Sequence, residues 1–228
     1  MILAIVPARG GSKRIPRKNI RPFRGKPMVA WSIEAALGSG VFDDVMVSTD
    51  DAEIADTAKA CGATVPFLRS AKASDDFATT ADVLLEVLDG YAERGHTIEW
   101  ACCIYATAPF VRSADLAEGL DRIRTQNWSA LLPVASFDYP IWRSLDRSPS
   151  GQVHLHFPEH VNARSQDLRA AYHDAGQWYW FRPDDLRRDG TLLGPNTGSL
   201  VLPSTHVQDI DTEEDWFLAE LKHERLFP

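Results

Sequence analysis

Short apolar runs alternate with segments of helical period from the N-terminus to about residue 134, and this alternation restricts the fold more than any other feature of the chain. Ile2–Val6 is apolar without interruption, which fits a strand buried on both faces of a sheet. After a loop, Pro27 opens a helix over Met28–Leu37, with Gly38 and Gly40 as its stop. Val45–Thr49 reads as a second strand, followed by Asp50, Asp51 and a helix over about 52–60 that halts at Gly62. Ala63–Phe67 reads as a third strand and residues 68–80 as a polar loop. Ala81–Tyr91 has helical spacing, Trp100–Tyr105 is a strand, 114–124 a helix and Ala130–Val134 a strand. Strands alternating with helices imply an α/β fold with a mostly parallel sheet covered on both faces. Ligands of such sheets bind beyond the carboxyl ends of the strands. The loop after Val6, Asp50 and Thr107 all fall at such ends.

The rhythm breaks over 135–176, which carries Pro140, Pro149, Gly151 and Pro158 and short candidate strands such as Val153–Phe157. A structureless loop of that length is uncommon in a compact domain, so the region reads as a functional insertion or an oligomerisation arm. The pattern resumes with Trp178–Phe181, Ser199–Leu202 and a helix over about 213–224. The 228 residues suit one large α/β domain, read here as residues 1–228 with the arm inside it.

Charge is distributed unevenly. The net charge is −8, yet residues 9–26 hold Arg9, Lys13, Arg14, Arg17, Lys18, Arg21, Arg24 and Lys26 and no acid. The acidic remainder argues against a nucleic-acid-binding protein, and a concentrated cationic segment points to a small, highly charged anion. Within it, Ala8–Asn19 follows the first strand and contains Gly10 and Gly11. Glycine lets backbone N–H groups approach phosphate oxygens, and Lys and Arg add charge-assisted hydrogen bonds. The spacing is neither that of a Walker loop nor that of a dinucleotide fingerprint. A solvated basic turn is the competing reading, against which stand eight cations with no acid among them.

At the other end of the chain Asp209 and Asp211 are two apart, so in extended backbone they face the same way. One or two carboxylates plus substrate phosphates is the usual way to hold Mg²⁺. Capping of the helix near Glu213 by Thr212 or Asp211 is the plainer reading, and both can hold together. No segment is long and apolar enough for a membrane helix, and the N-terminal run is too short for a signal peptide. Cys61, Cys102 and Cys103 lack metal-ligand spacing and read as thiols of a reducing, cytoplasmic protein.

The loop Ala8–Asn19 resembles the signature loop of the acylneuraminate cytidylyltransferases, which couple CMP to nonulosonic (sialic-type) acids. The resemblance continues, in order, through Val47-Ser48-Thr49-Asp50, Leu68-Arg69 with Ala73-Ser74-Asp75, and Gln208-Asp209-Ile210-Asp211-Thr212-Glu213. Tyr105-Ala106-Thr107-Ala108-Pro109-Phe110, Asn162–Leu168 and Ala171–Tyr179 are most similar to the branch that takes pseudaminic acid, from which Arg169 departs where proline is usual. The resemblance implies a three-layer α/β/α nucleotide-diphospho-sugar transferase-like (Rossmann-like) fold with a mixed, mostly parallel sheet and a dimerisation arm over about 135–176. It implies CTP and an acidic nine-carbon sugar as substrates, Mg²⁺ as cofactor on Asp209 and Asp211, and a homodimer. Ala8, Arg9, Gly10, Gly11, Ser12, Lys13, Lys18 and Asn19 would surround the triphosphate, with Lys13, Arg9 and Asp211 as the catalytic set. Arg69, Thr79 and Thr80 would contact the nucleotide, although an ion pair for Arg69 and helix capping for the threonines are competing readings. Asp50 is read either as a ribose or metal contact or as a complement to a helix dipole. On the sugar side stand Tyr105, Thr107, Arg164, Gln166 and His173. Arg164 is suited to the sugar carboxylate by its planar guanidinium, whereas a lone His is more often structural. No side chain is identified as the general base.

Overall fold

Strand β1 (Ile2–Pro7) is the centre around which the chain is built, because Leu3, Ala4, Ile5 and Val6 are all fully buried. The computed structural model describes residues 1–12 and 14–227. After β1 come a two-residue pair, β2 (Pro22–Phe23) and β3 (Lys26–Pro27), then α1 (Met28–Ser39), β4 (Asp44–Ser48), α2 (Ala52–Ala60), the short α3 (Ala71–Ser74) and α4 (Thr80–Glu93). The chain continues through β5 (Trp100–Ile104), α5 (Ser113–Gln126) and β6 (Ala130–Ser136). A hairpin, β7 (Leu145–Arg147) and β8 (Val153–Leu155), precedes β9 (Tyr172–Asp174), β10 (Trp178–Phe181), α6 (Pro183–Asp189), β11 (Thr197–Val201) and α7 (Glu213–Leu226).

The main sheet runs in the order β11-β6-β10-β5-β1-β4, with β9 added on β6. β1 is parallel to β4 and β5, and β11 is parallel to β6, while β10 is antiparallel to both its neighbours. Five strands therefore point one way and two, β9 and β10, the other; the expected mixed, mostly parallel sheet is present. Period-two alternation sorts the core into two layers. Ala4 and Val6 pack with Val29 and Ile33 of α1, Ile54 of α2 and Leu116 of α5 on one face. Leu3 and Ile5 pack with Leu84, Val87 and Leu88 of α4 and Leu186 of α6 on the other.

Several boundaries have visible causes. α1 runs through Gly38 and ends at Gly40, whose φ of 67° is the left-handed closure that glycine permits. Gly38 is where α1 meets α5: a Cβ there would lie 2.9 Å from the Ser113 hydroxyl. Asp51 caps α2 by accepting from the Ile54 N–H, and Thr79 with Asp82 forms a capping box on α4. The expected strand Ala63–Phe67 is not formed. Thr64 makes a single bridge with Met46, and Pro66, with no N–H to donate, does not continue the pairing. The expected polar loop 68–80 contains α3. Residues 137–171 are ordered as the β7–β8 hairpin and three short 3₁₀ turns, ending where β9 returns to the main sheet. Among the described residues, no helix is long and apolar enough to cross a membrane.

Candidate active site

The parallel strands β1, β4 and β5 end on the same edge of the sheet, and the segments leaving them form a cleft of about 490 Å³. Pro7 lines it from the end of β1, Arg9, Ser12, Arg14, Lys18 and Asn19 from the first loop, Arg69 and Asp75–Asp76 from the segment around α3, Thr79 and Thr80 from the start of α4, and Tyr105 and Thr107 from the segment after β5. Residues far apart in sequence are thus brought together by the sheet edge, as doubly wound sheets do.

The first loop is held from below and from both sides. Ile15 and Phe23 are fully buried against Ile210 and Trp216, so the loop is pinned to the C-terminal segment. Asn19, itself buried, donates to the Arg9 carbonyl at 2.9 Å. Asp50 accepts from the Gly10 N–H at 3.0 Å, and this explains its place after β4: it shapes the loop turn. A Cβ on Gly10 would lie 2.8 Å from Asp51 Oδ2, whereas one on Gly11 would meet nothing within 4 Å. Ala8 is buried and donates to the Ser48 carbonyl.

Seven of the eight cations of residues 9–26 are among the described residues, and they divide into two groups. Arg17 pairs with Asp51 at 2.6 Å and with Glu53, Arg21 with Glu213 at 2.6 Å while lying over Trp216, Arg24 with Glu224, and Lys26 with Glu34. These four fasten the loop to α1, α2 and α7, and the Arg17 hydrogen bond holds the Asp51 carboxyl below its ordinary pKa. Arg9, Arg14 and Lys18 line the cleft instead. Lys13 lies outside the described residues. Arg14 appeared in the sequence only as one cation of a run; nothing in the spacing showed that it faces the cleft and Arg17 does not.

Arg69 is buried, and its Nε and Nη2 donate to the hydroxyl and carbonyl of Ser48 at 3.0 and 2.5 Å. Burial lowers its pKa, with Asp50 and Glu86 opposing. A buried guanidinium bonded to neutral oxygens leaves positive potential at the cleft wall. Thr79 spends its hydroxyl on the capping box, as the competing reading held, and Thr80 Oγ1 lies 3.3 Å from the Tyr105 hydroxyl. Tyr105 stacks at a tilt on Tyr179 with centroids 5.3 Å apart, and burial raises its pKa.

Ile210 is buried between Asp209, which is exposed, and Asp211, which is half-buried. The Asp211 carboxylate pairs with Arg14 at 2.8 Å and reaches Lys18 at 3.5 Å, which places it at the cleft rim. Capping of α7 falls to Thr212 with Asp215, so the Asp211 carboxylate is not consumed by it. Among the described residues no group of three or more His, Cys, Asp or Glu side chains is arranged around a cation. The Asp211 carboxylate, held against two cleft-lining cations, is a hard oxygen donor of the kind that shares an ion with phosphate oxygens, and Asp209 stands exposed two residues before it.

The expected sugar-side residues separate. Tyr105 and Thr107 are in the cleft. His173 lines a second cavity of about 410 Å³ with Phe137, Tyr139, Ser204 and Lys222. Arg164 and Gln166 are exposed on the arm, in neither cavity, and Arg164 pairs with Asp167 at 2.6 Å.

A cleft of this size at the strand ends of a mixed α/β sheet, with Arg9, Arg14, Lys18 and Arg69 on its wall, suits a nucleotide. The comparisons with known proteins give the family: the cytidylyltransferase model matches residues 3–182, and the chain belongs to that family. It is 39% identical over 229 residues to a pseudaminic acid cytidylyltransferase of Campylobacter jejuni, covering 99% of each chain. It is 32% identical to a CMP-N,N'-diacetyllegionaminic acid synthase of Legionella pneumophila, covering 96% of this chain and 94% of that one. The fold matches a CMP:2-keto-3-deoxy-manno-octonic acid synthetase solved with CTP, at a TM-score of 0.74 and 17% identity over 99% of both chains.

Proposed function

We propose that the protein transfers CMP from CTP to the anomeric hydroxyl of a nonulosonic acid, with pseudaminic acid as the acceptor, releasing pyrophosphate. The observation that carries this reading is the convergence of Arg9, Arg14, Lys18 and the buried Arg69 on one cleft that Tyr105 and Thr107 also line. The similarity to pseudaminic acid enzymes over the whole chain supports the choice of acceptor. The hydroxyl attacks the α-phosphorus in line, a phosphorus–oxygen bond to the sugar forms, and the bond to the bridging oxygen of pyrophosphate breaks.

Catalysis of this kind is mainly positioning and charge neutralisation. Arg9, Ser12, Lys13, Lys18 and Asn19, with the backbone of Ala8, Gly10 and Gly11, hold the triphosphate in this account, and Lys13 meets the charge that develops on the departing phosphates. Asp209 and Asp211 would hold Mg²⁺, which when bound supplies further neutralisation of the α-phosphate and pyrophosphate. Arg69, Thr79 and Thr80 bound the nucleotide end and Tyr105 and Thr107 the acceptor end. Arg164, Gln166 and His173 reach the acceptor in a homodimer, the arm of one protomer completing its partner's site. The exposure of Tyr139, Leu145, Val153 and Val161 on that arm supports a second copy as its partner.

The test is pyrophosphate release from CTP with and without an added nonulosonic acid. Release that requires the sugar supports the transfer; binding of CTP with no release under any sugar makes the protein a nucleotide-binding regulator instead. Sedimentation at micromolar concentration tests the dimer, and a monomer there removes it.

A further inference from the structure

The cleft assigned to a polyanion carries two acids on its own wall, Asp75 and Asp76. Arg9 Nη1 lies 3.1 Å from Asp76 Oδ1 and 3.4 Å from the Asp75 carbonyl, so one of the triphosphate's cations is also the partner of a neighbouring carboxylate. We propose that Asp76 competes with the nucleotide's phosphates for Arg9 and thereby sets the affinity for CTP. This rests on the assignment of the cleft to a nucleoside triphosphate.

Three observations support the exchange. Both members of the pair are about half exposed, at 42% and 50% of their side-chain surface, and such pairs are weak enough to be traded for a ligand. Asp75 uses Oδ1 to accept from the N–H groups of Phe77 and Ala78, at 2.9 and 2.7 Å, which builds a turn from which Asp76 reaches back to Arg9. The same segment has room behind it. Ala73, Asp75 and Ala78 line both the cleft and a separate cavity of about 780 Å³, whose walls include Phe67, Leu68 and Leu85. Phe77, at that cavity's rim, is 91% exposed. A triphosphate carrying about four negative charges repels Asp76 as it attracts Arg9, and the segment recedes toward the second cavity, covering Phe77 as it goes.

The sign of the predicted effect separates this role from the ordinary one for a residue in a binding cleft. Removing a phosphate contact or a metal ligand weakens binding; removing a competitor tightens it. CTP binding to the full chain is measured by calorimetry for wild type, Asp76→Asn and Asp76→Ala, with Mg²⁺ and with a chelator, at low and high ionic strength. Both variants bind CTP roughly 3- to 10-fold more tightly than wild type at low ionic strength, the scale of one exposed charge pair, and the gap narrows as salt screens it. The tightening persists in the chelator. Equal or weaker binding by both variants, or a loss confined to the Mg²⁺ series, overturns the role given to Asp76 and leaves the nucleotide assignment intact. Failure of the wild type itself to bind CTP overturns both.

Discussion

Lys18 donates to the carbonyl of Ile210 at 2.6 Å, a contact between residues 192 positions apart that joins the phosphate-side loop to the acidic C-terminal segment. The same ammonium reaches the Asp211 carboxylate at 3.5 Å. Half-buried between the two, it is both a structural tie and, after Arg14, the second cation on the carboxylate proposed for Mg²⁺. Lys18→Ala therefore lowers kcat/KM for CTP by roughly 10²-fold, the scale of losing one preorganised charge-stabilising donor, and costs about 1–2 kcal/mol of stability. Steady-state kinetics and urea unfolding check the pair of effects. A kcat/KM within a few-fold of wild type contradicts the role.

Asp211 makes the complementary case. Its carboxylate faces Arg14 and Lys18, while the Thr212–Asp215 box caps α7 without it. Asp211→Ala is expected to stay folded, with an unchanged circular dichroism spectrum, and to lose turnover at all Mg²⁺ concentrations. Near-normal pyrophosphate release at limiting Mg²⁺ would sink the metal assignment.

Gly10 and Gly11 differ although they are neighbours. Gly10→Ala pushes a methyl group to 2.8 Å from Asp51 Oδ2, disturbing the pair with Arg17 and the cap of α2. It is expected to lower the melting temperature by several degrees and to weaken CTP binding, an effect of ~1–2 kcal/mol on stability. Gly11→Ala meets open space and leaves the melting temperature unchanged; if the backbone there approaches phosphate, only CTP binding falls. Equal melting temperatures for the two variants would count against the geometry of this turn.

His223 gives a pH dependence with a defined window. It is buried among Phe23, Trp31, Phe110 and Phe227, and burial, with Arg24 and Lys26 nearby, depresses its pKa from 6.5 to about 4. Between those values the unfolded chain binds a proton that the folded chain does not, so stability is full above pH ~6.5 and falls as the pH drops toward 4. The loss attributable to this residue approaches about 3 kcal/mol and levels off below its folded pKa. Unfolding by urea across that range shows the slope in wild type, and His223→Phe flattens it. The carboxylates held low by hydrogen bonds, such as Asp51 and Asp215, add their own losses at lower pH. A wild-type slope unchanged in His223→Phe contradicts the assignment.

Much of the sheet was legible because burial on both faces leaves an unbroken apolar run, as in Ile2–Val6 and Trp100–Ile104. Ala63–Phe67 misled for the same reason: its composition suits a strand, but Pro66 does not donate and only Thr64 bridges β4. The cleft was legible in its outline, since Arg9, Lys18 and Asn19 lie in one loop and Arg69, Tyr105 and Thr107 in segments flanking the strand ends. What one sequence does not encode is direction. Arg14 and Arg17 are three apart in an irregular loop with no period to orient them, yet one faces the cleft and the other ties to α2. Asp76 carried no signal at all, because an acid beside a polyanion site has meaning only when its partner Arg9, 67 residues away, is seen.

The identity of the acceptor sugar is tested by direct comparison of candidates. Initial rates of pyrophosphate release with CTP and Mg²⁺ are compared for pseudaminic acid, N-acetylneuraminic acid, legionaminic acid and 3-deoxy-octulosonate, with the CMP-sugar identified by mass. Pseudaminic acid is expected to give the highest kcat/KM, with the others lower by roughly an order of magnitude or more, as follows where hydrogen-bonding groups of the acceptor are mismatched. Equal or faster turnover of any of the other three contradicts it.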